Sequence, residues 1–146
     1  MTLKDQDCFY CNDTEPLFSL MTEICELKSS RVFLFNDQKN PGRCVVQFKD
    51  HKTEIFELTE EERQDFTKDL SLVAKTIYEI YGANKINYAI YGDMVPHLHV
   101  HVVPKTMDGV SWGKPFSDEL PKQILEEDKM KAEVEKFRNA LLKDRL

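Results

Sequence analysis

The chain has 146 residues, 41% of them hydrophobic, and a formal net charge of -6. That length fits one domain, 1–146, with room for a buried core. The acidic balance argues against a nucleic-acid polymer as partner, since that needs a basic stripe. It leaves room for a small phosphate ligand held by a few cations or backbone N–H groups. The N-terminal MTLKDQDCFYCNDTEPLFSL has no basic region followed by an apolar run, so no signal peptide is expected. No stretch approaches about 18 consecutive apolar residues, so no membrane span is expected either. Four cysteines in such a chain read as reduced thiols or metal ligands in a cytoplasmic protein.

Cys8-Phe9-Tyr10-Cys11 comes first. Two thiols at this spacing suit one metal ion, a redox pair, or no special role. Residues 12–20 read as loop. Residues 21–27 lean to strand. Residues 31–35 and 43–49 are rich in β-formers and flank the turn NDQKNPG, which predicts a hairpin. His51 follows at once. Thr59 and Glu62 form a capping box, and Phe66, Leu70, Val73, Ile77 and Ile80 share one helical face, so 59–81 is a helix stopped at Gly82. Residues 85–91 alternate as a strand and turn through Gly92–Pro96 into 97–103, close enough to pair antiparallel. Residues 105–115 are loop. Residues 121–146 are charged and read as a helix with Met130, Val134, Phe137 and Leu141 on one face, packed on the sheet or on a partner chain. The result is α+β: four or five mostly antiparallel strands, a long central helix and a C-terminal helix.

Pro96-His-Leu-His-Val-His-Val-Val-Pro104 holds three of the four histidines. In an extended strand His97, His99 and His101 share one face, and Leu98, Val100 and Val102 share the other. One face packs; the other brings three imidazoles to one small site.

The pattern His-φ-His-φ-His-φ-φ, where φ is apolar, resembles the signature of the histidine triad superfamily. Asn87-Tyr88, Gly92 and Val95-Pro96-His97 before it resemble the active-site hairpin of bacterial members. Phe35-Asn36 through Pro41-Gly42-Arg43 to Lys49-Asp50-His51 resembles the family's earlier nucleotide-contacting block. The resemblance runs from about residue 8 to 105 and leaves 106–146 without a motif. It implies an HIT-like fold with a five-stranded antiparallel sheet, a homodimer, and hydrolysis or transfer of nucleoside monophosphates. By position His99 corresponds to the nucleophile, flanked by His97 and His101. Asn36 matches a ribose-contacting position across an apparent one-residue deletion, and Asn87 a polar residue beside the site. Zinc-bearing members imply a structural Cys2His2 set of Cys8, Cys11, His51 and His97; the rival is a surface His51 and plain buried thiols.

Three departures stand out. Arg43 replaces a histidine common after proline-glycine, as a phosphate contact or a surface residue. Met94 stands where a polar residue is common, which bears on leaving-group activation. Val100 replaces an aromatic, a packing change. Trp112, Lys105 and Lys114 lie near enough in the chain to border the leaving-group side.

An imidazole with a pKa near 6.5 is a usable nucleophile near pH 7. Attack on an α-phosphorus gives a nucleotidyl-histidine, with a protonated His101 and backbone N–H groups steadying the phosphoryl oxygens. The expected function is therefore a hydrolase or nucleotidyl transferase acting on nucleoside phosphoramidates or dinucleoside polyphosphates. The alternatives are a nucleotide-binding or interaction module with little catalysis, and a metalloenzyme in which all three triad histidines hold a catalytic metal.

Overall fold

The structure is a computed structural model and describes residues 4–145. Five strands form one antiparallel sheet: β1 (Met21–Glu26), β2 (Ser30–Phe35), β3 (Cys44–Phe48), β4 (Lys85–Ala89) and β5 (His99–Lys105). Their order across the sheet is β1-β2-β3-β5-β4, so the histidine-bearing strand lies inside and β4 forms an edge.

The two faces follow from the period-2 alternation of the strands. Val32 and Leu34 of β2, Cys44, Val46 and Phe48 of β3, and Val100 and Val102 of β5 meet the helices on one face. The long helix α3 (Glu60–Ile80) supplies Phe66, Val73 and Ile77 to that core. Thr59 caps it: its hydroxyl accepts from the Glu62 N–H, and the Glu62 carboxylate accepts from the Thr59 N–H. Gly82 follows with φ +58, a conformation glycine adopts without strain. The C-terminal helix α4 (Glu127–Arg145) buries Met130, Val134, Phe137 and Leu141 against α3 and β1, so its apolar stripe is filled within this chain. It begins later than the sequence suggests. Residues 121–126 run outside the helix, and Ile124 bridges to Asp37.

The opposite face carries His99 and His101, Val45 and Gln47, and Phe33. It is covered by the N-terminal segment, whose Tyr10, Leu17 and Met21 form a second small core with Phe33 and Val45. That segment is not a plain loop: it makes two single turns, α1 (Phe9–Asn12) and α2 (Leu17–Leu20). Four-residue turns lack a periodic apolar stripe, which is why the sequence pattern misses them. Arg31 clasps the segment to the sheet through the Tyr10 carbonyl (3.1 Å), Asp13 (2.8 Å) and Glu23 (2.8 Å). Because both faces of the sheet are covered there, β5 is buried along its whole length.

Candidate functional site

β5 starts at His99, so His97 lies just before the strand and not within it. The Leu98 carbonyl accepts from the Phe48 N–H (3.0 Å), and the Leu98 N–H donates to the Lys52 carbonyl (2.7 Å). These two bonds lay the segment after β3 beside the histidines and bring His51 to His97.

Each imidazole has a tautomer fixed by its partner. His99 Nδ1 lies 2.6 Å from the His97 carbonyl, which can only accept, so Nδ1 carries the proton and Nε2 keeps its lone pair. His97 Nε2 lies 2.6 Å from the Phe48 carbonyl, so Nε2 carries its proton and Nδ1 is the free donor atom. Gln47 stands behind it, its amide against both the Phe48 carbonyl and the His97 ring. His101 Nδ1 lies 3.1 Å from Arg43 Nη2. A guanidinium only donates, so here Nδ1 accepts and the ring proton sits on Nε2.

The free Nδ1 of His97 faces a cluster. Cys8 Sγ is 3.3 Å away, Cys11 Sγ 3.5 Å and His51 Nδ1 3.2 Å, and Cys11 Sγ is 3.4 Å from His51 Nδ1. Tetrahedral coordination at about 2.0–2.3 Å implies ligand separations of roughly 3.3–3.8 Å, which these distances fit. Cys8, Cys11, His51 and His97 could together hold a metal ion; their ligand atoms all lie within 4.8 Å of one another. His51 is thus no surface side chain. The hydrogen bond from His97 Nε2 to a carbonyl is the outer partner that orients a histidine ligand. The triad is not itself a metal cluster. Among the described residues the converging group is the Cys2His2 set, and the Nδ1 atoms of His99 and His101 face a carbonyl and a guanidinium.

Electrostatics correct one expectation. Burial, with the charge of Arg43 and the proximity of His99, pulls the His101 pKa down to about 3. His101 is therefore neutral at pH 7, and the positive charge beside it is Arg43. Burial also lowers His99, with Arg43 adding to the effect against the hydrogen bond to the His97 carbonyl. Its lone pair is available at neutral pH.

Arg43 is 3% exposed, far from a surface position. Its guanidinium lies between Phe35 (4.1 Å) and Phe116 (5.0 Å), and Nη1 pairs with Asp118 at 2.5 Å. Its Nε is buried with no hydrogen-bond partner among the described residues, which costs about 1–3 kcal/mol and is tolerated here. Asn36 turns its side chain inward: Oδ1 accepts from the Thr22 hydroxyl at 2.7 Å, and Nδ2 donates to the Phe18 and Ser19 carbonyls at 3.1 Å. It lines a cleft of about 690 Å³ with Asp37, Asp118 and Phe35, whose ring is 5.9 Å from that of His101. Asn87 lies opposite Val103, next in line to the Ala89–His101 pairing on the same face. It borders an open cleft of about 870 Å³ with Tyr91, Lys105, Trp112 and Lys114. The Tyr91 ring is 5.5 Å from that of His101. Met94 is 91% exposed, and Val100 is buried in the helix-side core.

Residues that sequence reasoning passed over are Asp118 and Phe116 behind Arg43, Gln47 behind His97, and Tyr10, whose ring sits 5.4 Å from His97 and 5.3 Å from His99. The alternation of β3 places Gln47 on the histidine face; nothing in the chain's periodicity points to 116–118.

The HIT domain matches residues 21–108, well over half of the chain. The chain belongs to the HIT domain family. The HIT fold is reproduced closely by a histidine triad protein from Marinobacter aquaeolei (TM-score 0.80, 25% identity, 89% of this chain and 95% of that one). Among curated HIT relatives, a bis(5′-adenosyl)-triphosphatase of Saccharomyces cerevisiae is 34% identical over 94 residues, 59% of this chain. The chain spans 46% of the length of that relative. An adenosine 5′-monophosphoramidase of Schizosaccharomyces pombe is 31% identical over 111 residues, covering 72% of this chain and 84% of that one. No helix among the described residues is long and apolar enough to cross a membrane.

Proposed function

We propose that this HIT protein hydrolyses a nucleoside 5′-phosphoryl substrate, a phosphoramidate or a dinucleoside polyphosphate, through a nucleotidyl intermediate on His99. The observation that carries the reading is the His99 tautomer: Nδ1–H bound to the His97 carbonyl, Nε2 left with its lone pair on the triad face. That lone pair attacks the α-phosphorus, and the bond to the leaving group breaks with its electron pair on the leaving group. Water then attacks the same phosphorus and loses a proton to solvent, the P–Nε2 bond breaks with its pair on Nε2, and the monophosphate is released. His97 supports His99 through its carbonyl, His101 donates through Nε2–H, and Asn36 and Asn87 border the two clefts flanking the site.

The Cys2His2 set takes a structural zinc ion. Two thiolates and two imidazoles are a donor set zinc favours, and four protein ligands leave no open position. The exposed Tyr88 and Tyr91, at 53% and 55%, lie along and just beyond edge strand β4 and support a homodimer. Light scattering that gives 17.1 kDa instead of twice that mass would refute the dimer.

Mass spectrometry of acid-quenched protein after brief exposure to substrate tests the intermediate. The wild type gains one nucleotidyl group. His99→Asn gains none, loses turnover by at least about a thousandfold, and still binds the monophosphate. Binding without any release by the wild type would favour the binding-module reading; undiminished turnover by His99→Asn would remove the mechanism.

A further inference from the structure

The triphosphatase and the phosphoramidase among the relatives are named for substrates that part differently: a phosphoanhydride releases a phosphate oxygen, a phosphoramidate releases a nitrogen. The surroundings of His101 bear on which of these this chain handles. Arg43 Nη2 donates to His101 Nδ1 at 3.1 Å, and it cannot turn away. It is held between Phe35 and Phe116 and paired with Asp118. The segment that carries Phe116 and Asp118 is itself tied down: Asn40 Nδ2 donates to the Ser117 carbonyl at 2.9 Å and Lys39 Nζ to the Asp118 carbonyl at 2.8 Å. A proton on His101 Nδ1 would face a guanidinium N–H, so the ring stays neutral with its single proton on Nε2.

A neutral imidazole of this kind donates a hydrogen bond but does not hand over its proton, because that would leave an imidazolate. The other groups beside it do not replace the missing acid. The His99 proton is held by the His97 carbonyl, and the Tyr10 hydroxyl points to Met21 Sδ at 3.7 Å. The thioether of Met94 has no proton to give. Lys105 gives its ammonium to the Lys114 carbonyl, which leaves Tyr91, more than half exposed with its ring 5.5 Å from that of His101, and the Lys114 side chain on the same cleft.

We propose that Arg43 and Asp118 are positioning residues that fix His101 as an Nε2–H hydrogen-bond donor, and that the enzyme therefore acts on phosphoanhydrides, dinucleoside polyphosphates among them, in preference to alkylamine phosphoramidates. This rests on the function proposed above. In an anhydride the bond from the α-phosphorus to the bridging oxygen breaks with its pair on oxygen, and the nucleotide departs as a phosphate anion that needs no proton near pH 7. In an alkylamine phosphoramidate the P–N bond breaks with its pair on nitrogen, and the amine leaves only if an acid protonates it.

Two measurements on the full chain test this separately. Histidine side-chain 15N NMR reads the tautomer without any turnover. The Nε2–H form of His101 is expected at pH 7 in the wild type, with an Nδ1–H population appearing in Asp118→Asn, a change at an exposed carboxylate that spares the fold. Observation of Nδ1–H or imidazolium in the wild type overturns the proposal. The second measurement is the ratio of kcat/KM for diadenosine triphosphate to that for an adenosine 5′-alkylphosphoramidate. It should exceed about tenfold, and Arg43→His should narrow it by a similar factor. Tyr91→Phe should leave the ratio unchanged; selective loss of amine release in that variant would hand proton donation to Tyr91 and overturn the proposal. Equal or faster turnover of the phosphoramidate by the wild type overturns the substrate preference alone. No turnover of either substrate, with the His101 tautomer as expected, would instead remove the hydrolase reading and the preference with it.

Discussion

Three imidazoles of identical chemistry acquire three different tasks here because each meets a different partner. A carbonyl fixes His99 with a free Nε2, another carbonyl turns Nδ1 of His97 toward two thiols, and a guanidinium fixes His101 with its proton on Nε2. Burial of His101, with Arg43 beside it, also sets a pH dependence. The folded pKa of His101 is about 3, against 6.5 for the free side chain, chiefly from burial and then from Arg43. Between those values the unfolded chain binds a proton that the folded chain refuses. The stability His101 contributes is therefore complete above about pH 6.5 and is lost as pH falls toward 3, at about 1.4 kcal/mol per pH unit within that window. Urea unfolding at pH 4–7 should show this slope, and His101→Gln should make it shallower. An unchanged slope in that variant would mean that other groups carry the dependence.

At the scale of elements, the N-terminal segment depends on two kinds of attachment. Tyr10, Leu17 and Met21 bury apolar surface on the sheet, while Cys8 and Cys11 meet His51 and His97. The proposed zinc adds to the first attachment. At a free metal concentration a hundredfold above its Kd, the gain is about 2.7 kcal/mol. Chelation, or Cys11→Ser, should lower Tm by roughly 5–10 °C and raise amide exchange over residues 5–20 more than in α3. The His99→Asn variant should keep its metal. A stoichiometric metal content that survives Cys11→Ser would disprove the assigned ligand set.

Across the whole molecule, one face of the sheet packs against the helices and the other carries the candidate site. α3 and α4 seal the first, and the second holds the histidines, Arg43 and the N-terminal cover. The C-terminal third contributes to both. Phe137 of α4 is fully buried, and its ring lies 5.7 Å from that of Tyr81. Phe137→Ala should cost about 3–5 kcal/mol by calorimetry or denaturant unfolding. A loss below about 1 kcal/mol would mean that α4 is only loosely docked. The loop before α4 reaches the other face and places Phe116 and Asp118 on Arg43.

The sequence by itself determined what repeats locally. The capping box and the Phe66–Ile77 stripe announce α3. The alternation of apolar residues with His99 and His101 announces a strand with one packed face. The rare concentration of histidines, with Cys8, Cys11 and His51, announces the family and a candidate ligand set. Such signals are legible because helix and strand periods are properties of neighbours along the chain. Only the tertiary structure decided which nitrogen of each histidine is free, that His97 turns to the thiols, and that Arg43 is buried behind His101. It also decided that residues 116–118, more than seventy positions away in the chain, hold Arg43 there. A tautomer depends on the partner at the other end of a hydrogen bond. Here those partners are backbone carbonyls and a distant carboxylate–guanidinium pair, which no periodicity encodes.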